Sequence, residues 1–171
     1  MAQAATTIID LSRLSLSHGE GSRLDLPVAL APFELGGQTY RPDPAAPMLR
    51  LDVSRPSNGF AFRLAFGVHL VGPCMRCLEP GAMDLEVEAR EVHQSGTEDP
   101  ELRSPYVEDD ELDIGRWAHD AALLALPTRF LCRPDCAGLC PICGESLNEN
   151  PHEHEQATDP RWAALKDLKL E

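Results

Sequence analysis

Aromatic residues are scarce in this chain: Phe, Trp and Tyr together make up 5% of its 171 residues. A core built from it is therefore mostly Leu, Ala and Val, and a hydrophobic content of 43% suffices for one ordinary domain. No apolar run approaches the roughly 20 residues that a membrane-spanning helix needs. The opening MAQAATTIID holds neither a basic segment nor a long apolar one, so a secretory leader is not expected and a cytoplasmic location is. Positive charge is also in short supply, with 15 Lys and Arg against 28 Asp and Glu and a net charge of −13 at pH 7. A field of that sign repels phosphate backbones and counts against generic nucleic-acid binding. It favours a basic partner, or an RNA contact confined to a small patch. The chain also lacks a phosphate-binding glycine loop, a Gly-x-Ser-x-Gly elbow and an HExxH pair. Carboxylates abound, but they lie in an acid-rich stretch where solvation accounts for them better than acid–base work.

Six cysteines are present, and they fall in two clusters: Cys74 with Cys77, and Cys132, Cys136, Cys140 and Cys143. In a reducing compartment such clusters point to metal rather than to disulfides. In CPICG, two residues separate Cys140 from Cys143, which lets both sulfurs point into one tetrahedral corner, and Gly144 permits the tight turn beneath the ion. This zinc-knuckle pattern needs a second pair of ligands. Cys132 and Cys136 are nearest and would give an all-thiolate Zn2+ site, with Gly138 as the flexible point. His152 and His154 are alternates that could replace one or both of them. Cys74 and Cys77 are a further pair, available if their turn folds over the segment. The spacing of Cys136, Cys140 and Cys143 also matches that of radical S-adenosylmethionine enzymes. Those enzymes need a large parallel α/β barrel, which a short antiparallel chain does not supply.

The strongest periodicity is β. In FAFRLAFGVHLVG, Phe60, Phe62, Leu64, Phe66, Val68 and Leu70 share one face; in AMDLEVEAREV, Met83, Leu85, Val87 and Ala89 face opposite Asp84, Glu86, Glu88 and Arg90. The two runs predict a long antiparallel hairpin with Cys74, Met75, Arg76 and Cys77 at its tip. MLRLDVS is a further strand. Residues 1–47 are weakly patterned, with a possible strand in TTIIDLSRLSL, a loop at HGEGSRLDLP and a Pro-rich connector at RPDPAAP. Residues 84–113 carry twelve acids against two bases, and the part from SGTEDPELRSP to VEDDELD reads as a mobile loop. A helix over about 111–126 follows, with Ile114, Trp117, Ala118, Ala121 and Ala125 at helical spacing and Pro127 as its stop. A short terminal helix is expected in DPRWAALKDLKLE, capped by Asp159. The expected class is α+β: an antiparallel body over 1–127, then a cysteine-rich zinc segment and terminal helix over 128–171, one domain overall.

Taken together, CMRCLEP after a long strand, a helix ending LALP, then LCRPDCAGLCPICGESLNE and DPRWAAL resemble the YceD-like family, the large ribosomal RNA subunit accumulation proteins. The resemblance runs from about residue 48 to the end. Many relatives carry Cys-x-Cys where this chain has His152, Glu153 and His154, a swap that keeps metal-binding atoms. The resemblance implies a non-enzymatic role in accumulation or processing of large-subunit (23S) ribosomal RNA, within ribosome biogenesis. The implied partners are the large-subunit precursor or its RNA, with no membrane. Arg76, Arg129 and Arg133 are the candidate RNA contacts, and the acidic stretch 98–113 is a candidate surface for a basic ribosomal protein. The alternative of another class is a cysteine-based redox or metal enzyme. It requires an open coordination position or a low-pKa Cys74 or Cys77.

Overall fold

The computed structural model describes residues 7–154. The expected terminal helix around Asp159, Trp162 and Leu165 lies outside the described residues. Nine strands and one α-helix are found among them, in the order β1 (Ile8–Asp10), β2 (Gly21–Pro27), β3 (Phe33–Leu35), β4 (Gln38–Pro42), β5 (Met48–Ser54), β6 (Phe60–Pro73), β7 (Pro80–His93), β8 (Val107–Glu108), β9 (Glu111–Asp113) and α1 (Ile114–Ala125).

β6 and β7 form the predicted hairpin, paired without interruption from Phe60 opposite His93 to Pro73 opposite Pro80. Along its other edge β6 pairs first with β5 and then with β4; β2 extends β5, and β3 extends β4. At its open end, Gly59 sits at φ +87°, where a Cβ would collide with the His93 carbonyl. Alternation sets the two faces. Phe62, Leu64, Val68 and Leu70 are buried with Leu49, Leu51, Val53, Leu85 and Val87. On the open face, Arg23 grips Asp52 and Arg63 grips Glu88, each through two guanidinium nitrogens, while Arg50 reaches Asp25. These exposed pairs contribute about 0–1 kcal/mol each, so burial holds the sheet together and the ion pairs fix its solvent face.

α1 covers the apolar face. Its N-cap is Asp113, whose carboxylate accepts from the Arg116 N–H at 2.9 Å. Trp117 is 2% exposed and packs edge-on against Phe62 with centroids 6.2 Å apart.

Two stretches differ from expectation. HGEGSRLDLP was expected as a loop, but its last seven residues are β2, with Leu24 and Leu26 turned inward and Arg23 and Asp25 turned out to pair with Asp52 and Arg50 of β5. The acid-rich stretch was expected as a loop, yet β8 and β9 pair within it and β9 also pairs with β1. Leu112, fully buried, anchors β9, and Asp109 and Asp110 make the two-residue turn with φ of 48° and 63°. Composition hides one buried leucine among many acids.

Candidate metal centres

The hairpin tip is a tight loop. The Cys74 N–H donates to the Glu79 carbonyl at 2.8 Å, and the Leu78 N–H donates back to the Cys74 carbonyl at 3.0 Å. Leu78 adopts φ +63° to close it. The segment CPICGE repeats these bonds: the Cys140 N–H donates to the Glu145 carbonyl at 2.8 Å, the Gly144 N–H to the Cys140 carbonyl at 2.9 Å, and Gly144 has φ +76°. Both are therefore Cys-x-x-Cys knuckles of one backbone design. Sequence reasoning undervalued the first because no glycine follows Cys77; here a leucine accepts the left-handed conformation instead.

After α1 the chain returns along the hairpin to this tip. Phe130 is buried and packs on Tyr40 at 4.8 Å between centroids, and its carbonyl accepts from the Met75 N–H at 2.9 Å. Gly81 allows the close passage: a Cβ there would lie 3.1 Å from the Cys132 Cα and 3.2 Å from the Phe130 ring. Gly138, at φ +86°, does the same against the Arg76 carbonyl, which accepts from the Leu139 N–H at 3.2 Å. This path delivers Cys132 and Cys136 to the hairpin tip.

The four cysteines of 132–143, expected around one ion, are thus divided between two groups. Cys74, Cys77, Cys132 and Cys136 form the first; Cys140, Cys143, His152 and His154 form the second; within each, the ligand atoms lie within 4.8 Å of one another. Sequence proximity suggested the nearest pair as partners, but the packing of Phe130 and Gly81 turns Cys132 and Cys136 away from the second knuckle. The histidines take their place there.

In the first group the sulfurs of Cys74 and Cys136 are 3.8 Å apart and those of Cys77 and Cys132 are 3.5 Å apart. A tetrahedral ion with bonds of about 2.3 Å to sulfur would space its ligands by about 3.8 Å, so the donors fit one ion. Cys74, Cys77 and Cys136 are buried, and Leu131 and Leu139 pack around them as a cluster separate from the main core. In the second group the Cys143 sulfur lies 3.1 Å from His152 Nε2, and the other ring nitrogen, Nδ1, meets the Asn150 carbonyl at 2.8 Å. A histidine ligand is commonly oriented by such a bond to its second nitrogen.

The surroundings favour thiolate in part and oppose it in part. Burial works against the Cys74 thiolate, but the N–H groups of Arg76, Cys132 and Cys77 outweigh it and bring the thiol down to about 6. The N–H groups of Cys143 and Ile142 bring Cys140 down to about 6. The Asn148 side chain lowers Cys136, its amide donating to the sulfur at 3.5 Å. Burial, then the neighbouring sulfur of Cys77, pushes Cys132 up to about 12. Several thiolates cannot share so small a volume without a cation, and a thiophilic cation is what either group could hold. Sequence reasoning missed Asn148, Gly81 and Phe130 as supports. Only the glycine left a trace, in EPGAM beside the hairpin tip.

Of the expected RNA contacts, Arg76 is exposed at the tip, with one guanidinium nitrogen 3.3 Å from the Ala137 carbonyl. Arg129 is exposed beside Phe130, one residue from the same junction. Neither pairs with an acid among the described residues, whereas Arg133 lies 3.5 Å from Asp135. No helix among the described residues is long and apolar enough to cross a membrane.

Several known proteins are similar to this chain. Uncharacterized protein Rv2926c of Mycobacterium tuberculosis is 34% identical over 174 residues, covering 96% of this chain and 82% of that protein. Uncharacterized protein Mb2951c of Mycobacterium bovis matches to the same extent. Uncharacterized protein ML1660 of Mycobacterium leprae is 40% identical over 63 residues, which is 37% of this chain and 29% of that protein. No solved structure matches. The profile described as "Large ribosomal RNA subunit accumulation protein YceD" matches residues 62–169, a span that takes in all but the first two residues of the hairpin and all eight candidate ligands. The chain therefore belongs to the YceD family.

Proposed function

We propose that this protein is a non-enzymatic factor for accumulation or processing of the large-subunit (23S) ribosomal RNA, acting in the cytoplasm during ribosome biogenesis. A structural zinc ion held by Cys74, Cys77, Cys132 and Cys136 fixes its recognition surface. Family membership supports the first part. The observation that carries the second is the closed first group, in which four convergent thiols come from two chain segments. Four protein ligands leave no coordination position for a substrate, which suits a structural ion rather than a catalytic one. All-sulfur tetrahedral coordination suits zinc or iron, single-ion spacing leaves no room for a cluster, and redox-inert zinc fits a purely structural role.

The ion cross-links the hairpin tip to the returning segment and so sets where Arg76 and Arg129 stand. These two arginines lack acidic partners among the described residues, whereas Arg23, Arg50, Arg63 and Arg90 of the open sheet face are paired with acids. Among the described residues, a phosphate would find guanidinium donors without acidic partners at the tip and at Arg41 of β4, which lines one groove with Leu78 and Cys132. The negative field elsewhere keeps RNA off the rest of the surface and suits a basic ribosomal protein along 98–113. Sedimentation of cell extract tests the reading. The protein is expected with precursor large subunits at low salt, and Arg76→Glu with Arg129→Glu is expected to move it to the free fraction. A wild-type protein found only as a free species contradicts the proposal.

A further inference from the structure

We infer that Cys140, Cys143, His152 and His154 form a second zinc centre, and that Asn148 couples its occupancy to that of the first. The inference deepens the metal role proposed above and rests on it for the identity of the ion.

Three independent features carry it. The second knuckle copies the backbone of the first bond for bond, from the N–H of the leading cysteine to the following glutamate, down to the left-handed residue after the second cysteine. Its two thiols are met by two imidazoles that approach edge-on, with ring centroids 4.9 Å apart, so four donors converge from two directions. His152 presents Nε2 to Cys143 while the Asn150 carbonyl holds Nδ1, leaving the metal-facing nitrogen free to ligate. Two thiolates with two neutral imidazoles make a tetrahedral set that suits zinc.

The coupling follows from where the chain goes between Cys143 and His152. On leaving the second knuckle it crosses to the first centre. There the Leu147 N–H donates to the Gly138 carbonyl at 2.9 Å. The Asn148 side-chain Oδ1 accepts from the Ala137 N–H at 2.7 Å, and its Nδ2 donates to the Cys136 sulfur at 3.5 Å. It then returns to the second centre at His152. The second ion closes this loop at both ends, and the loop supports a ligand of the first ion. Releasing either ion frees a segment that holds the other, and such coupling is reciprocal.

The test uses the full chain as purified: zinc content per chain and X-ray absorption at the zinc edge. Six cysteines and two histidines shared by two ions give an average of three sulfurs and one nitrogen per zinc. Two zincs per chain with that average are expected, and His152→Ala with His154→Ala should leave one zinc in all-sulfur coordination. One zinc per wild-type chain, bound by sulfur alone, overturns the second centre and leaves the first standing; no zinc at all removes the first as well. The wild-type spectrum decides even if the variant misfolds. For the coupling, Asn148→Ala is expected to lower the affinity of both ions by about 10-fold or more in chelator competition, the usual cost of losing an outer-shell support. Unchanged affinity at the all-sulfur centre overturns it.

Discussion

Removing the first ion should open the tip locally without unfolding the sheet. Consider Cys77→Ser combined with Cys132→Ser, which deletes the two sulfurs 3.5 Å apart whose residues are separated by 55 positions. An ion joining them acts as a clip across that loop. When the tip opens, the chain between the two cysteines stays folded, so what the ion offsets is the ordering of the returning segment: about 1–2 kcal/mol per backbone residue fixed, or about 4 kcal/mol for roughly three residues at Cys132 and its neighbours. Little else can replace it, because the cluster around the thiols contains only Leu131 and Leu139 besides cysteines. At about 1.4 kcal/mol per factor of ten, the segment should open about 10³-fold more often. The Leu139 amide, bonded to the Arg76 carbonyl, reports the opening directly. Hydrogen exchange followed by NMR should show this amide exchanging about 10³-fold faster while those of β6 at Leu64 and Phe66 keep their protection. Leu139 protection unchanged in the variant refutes the clip. Equal loss at Leu139 and Leu64 refutes the separation of tip from sheet.

Further outcomes test other parts of the account. Trp117→Ala removes a side chain 2% exposed that packs on Phe62 and Tyr106, and should cost about 3–5 kcal/mol in urea unfolding. Arg63 and Arg90 hold the Glu88 carboxyl at about 2, below its ordinary 4.5. A depressed carboxylate stabilises the fold above its unfolded value and loses that contribution as pH falls toward about 2, so Arg63→Gln should flatten part of the stability loss between pH 4.5 and 2 in a series of urea midpoints. Arg76→Glu alone should weaken cosedimentation with large-subunit precursors yet shift stability by no more than about 0.5 kcal/mol, because the side chain is exposed and held only through Ala137.

The hairpin was legible because fourteen-residue strands of strict period two leave no other solution, and its tip cysteines followed from the pairing. The helix was legible from Trp117 and the alanines with Asp113 ahead of them. Of the short N-terminal strands, β1 was expected within TTIIDLSRLSL, but β2, β3 and β4 were not, because each fully buries at most two side chains and relies on its neighbour for register. Gly36 and Gly37, at φ 59° and 77°, form the two-residue turn between β3 and β4. All eight residues of the two candidate groups were singled out by residue type. Their division into two groups was not, since spacing counts ligands but does not say which turn they face. That information lies in Phe130 against Tyr40 and in the missing side chain at Gly81, contacts that exist only once the sheet has formed.

The most direct test of the whole account is the ratio of 23S to 16S ribosomal RNA in cells that lack this protein, complemented by the wild-type chain or by the Cys77→Ser, Cys132→Ser chain expressed at equal level. The account predicts a low ratio without the protein, restoration by the wild type, and failure of the cysteine variant to restore it. A ratio indifferent to the protein's absence, or restored in full by the variant, would contradict it.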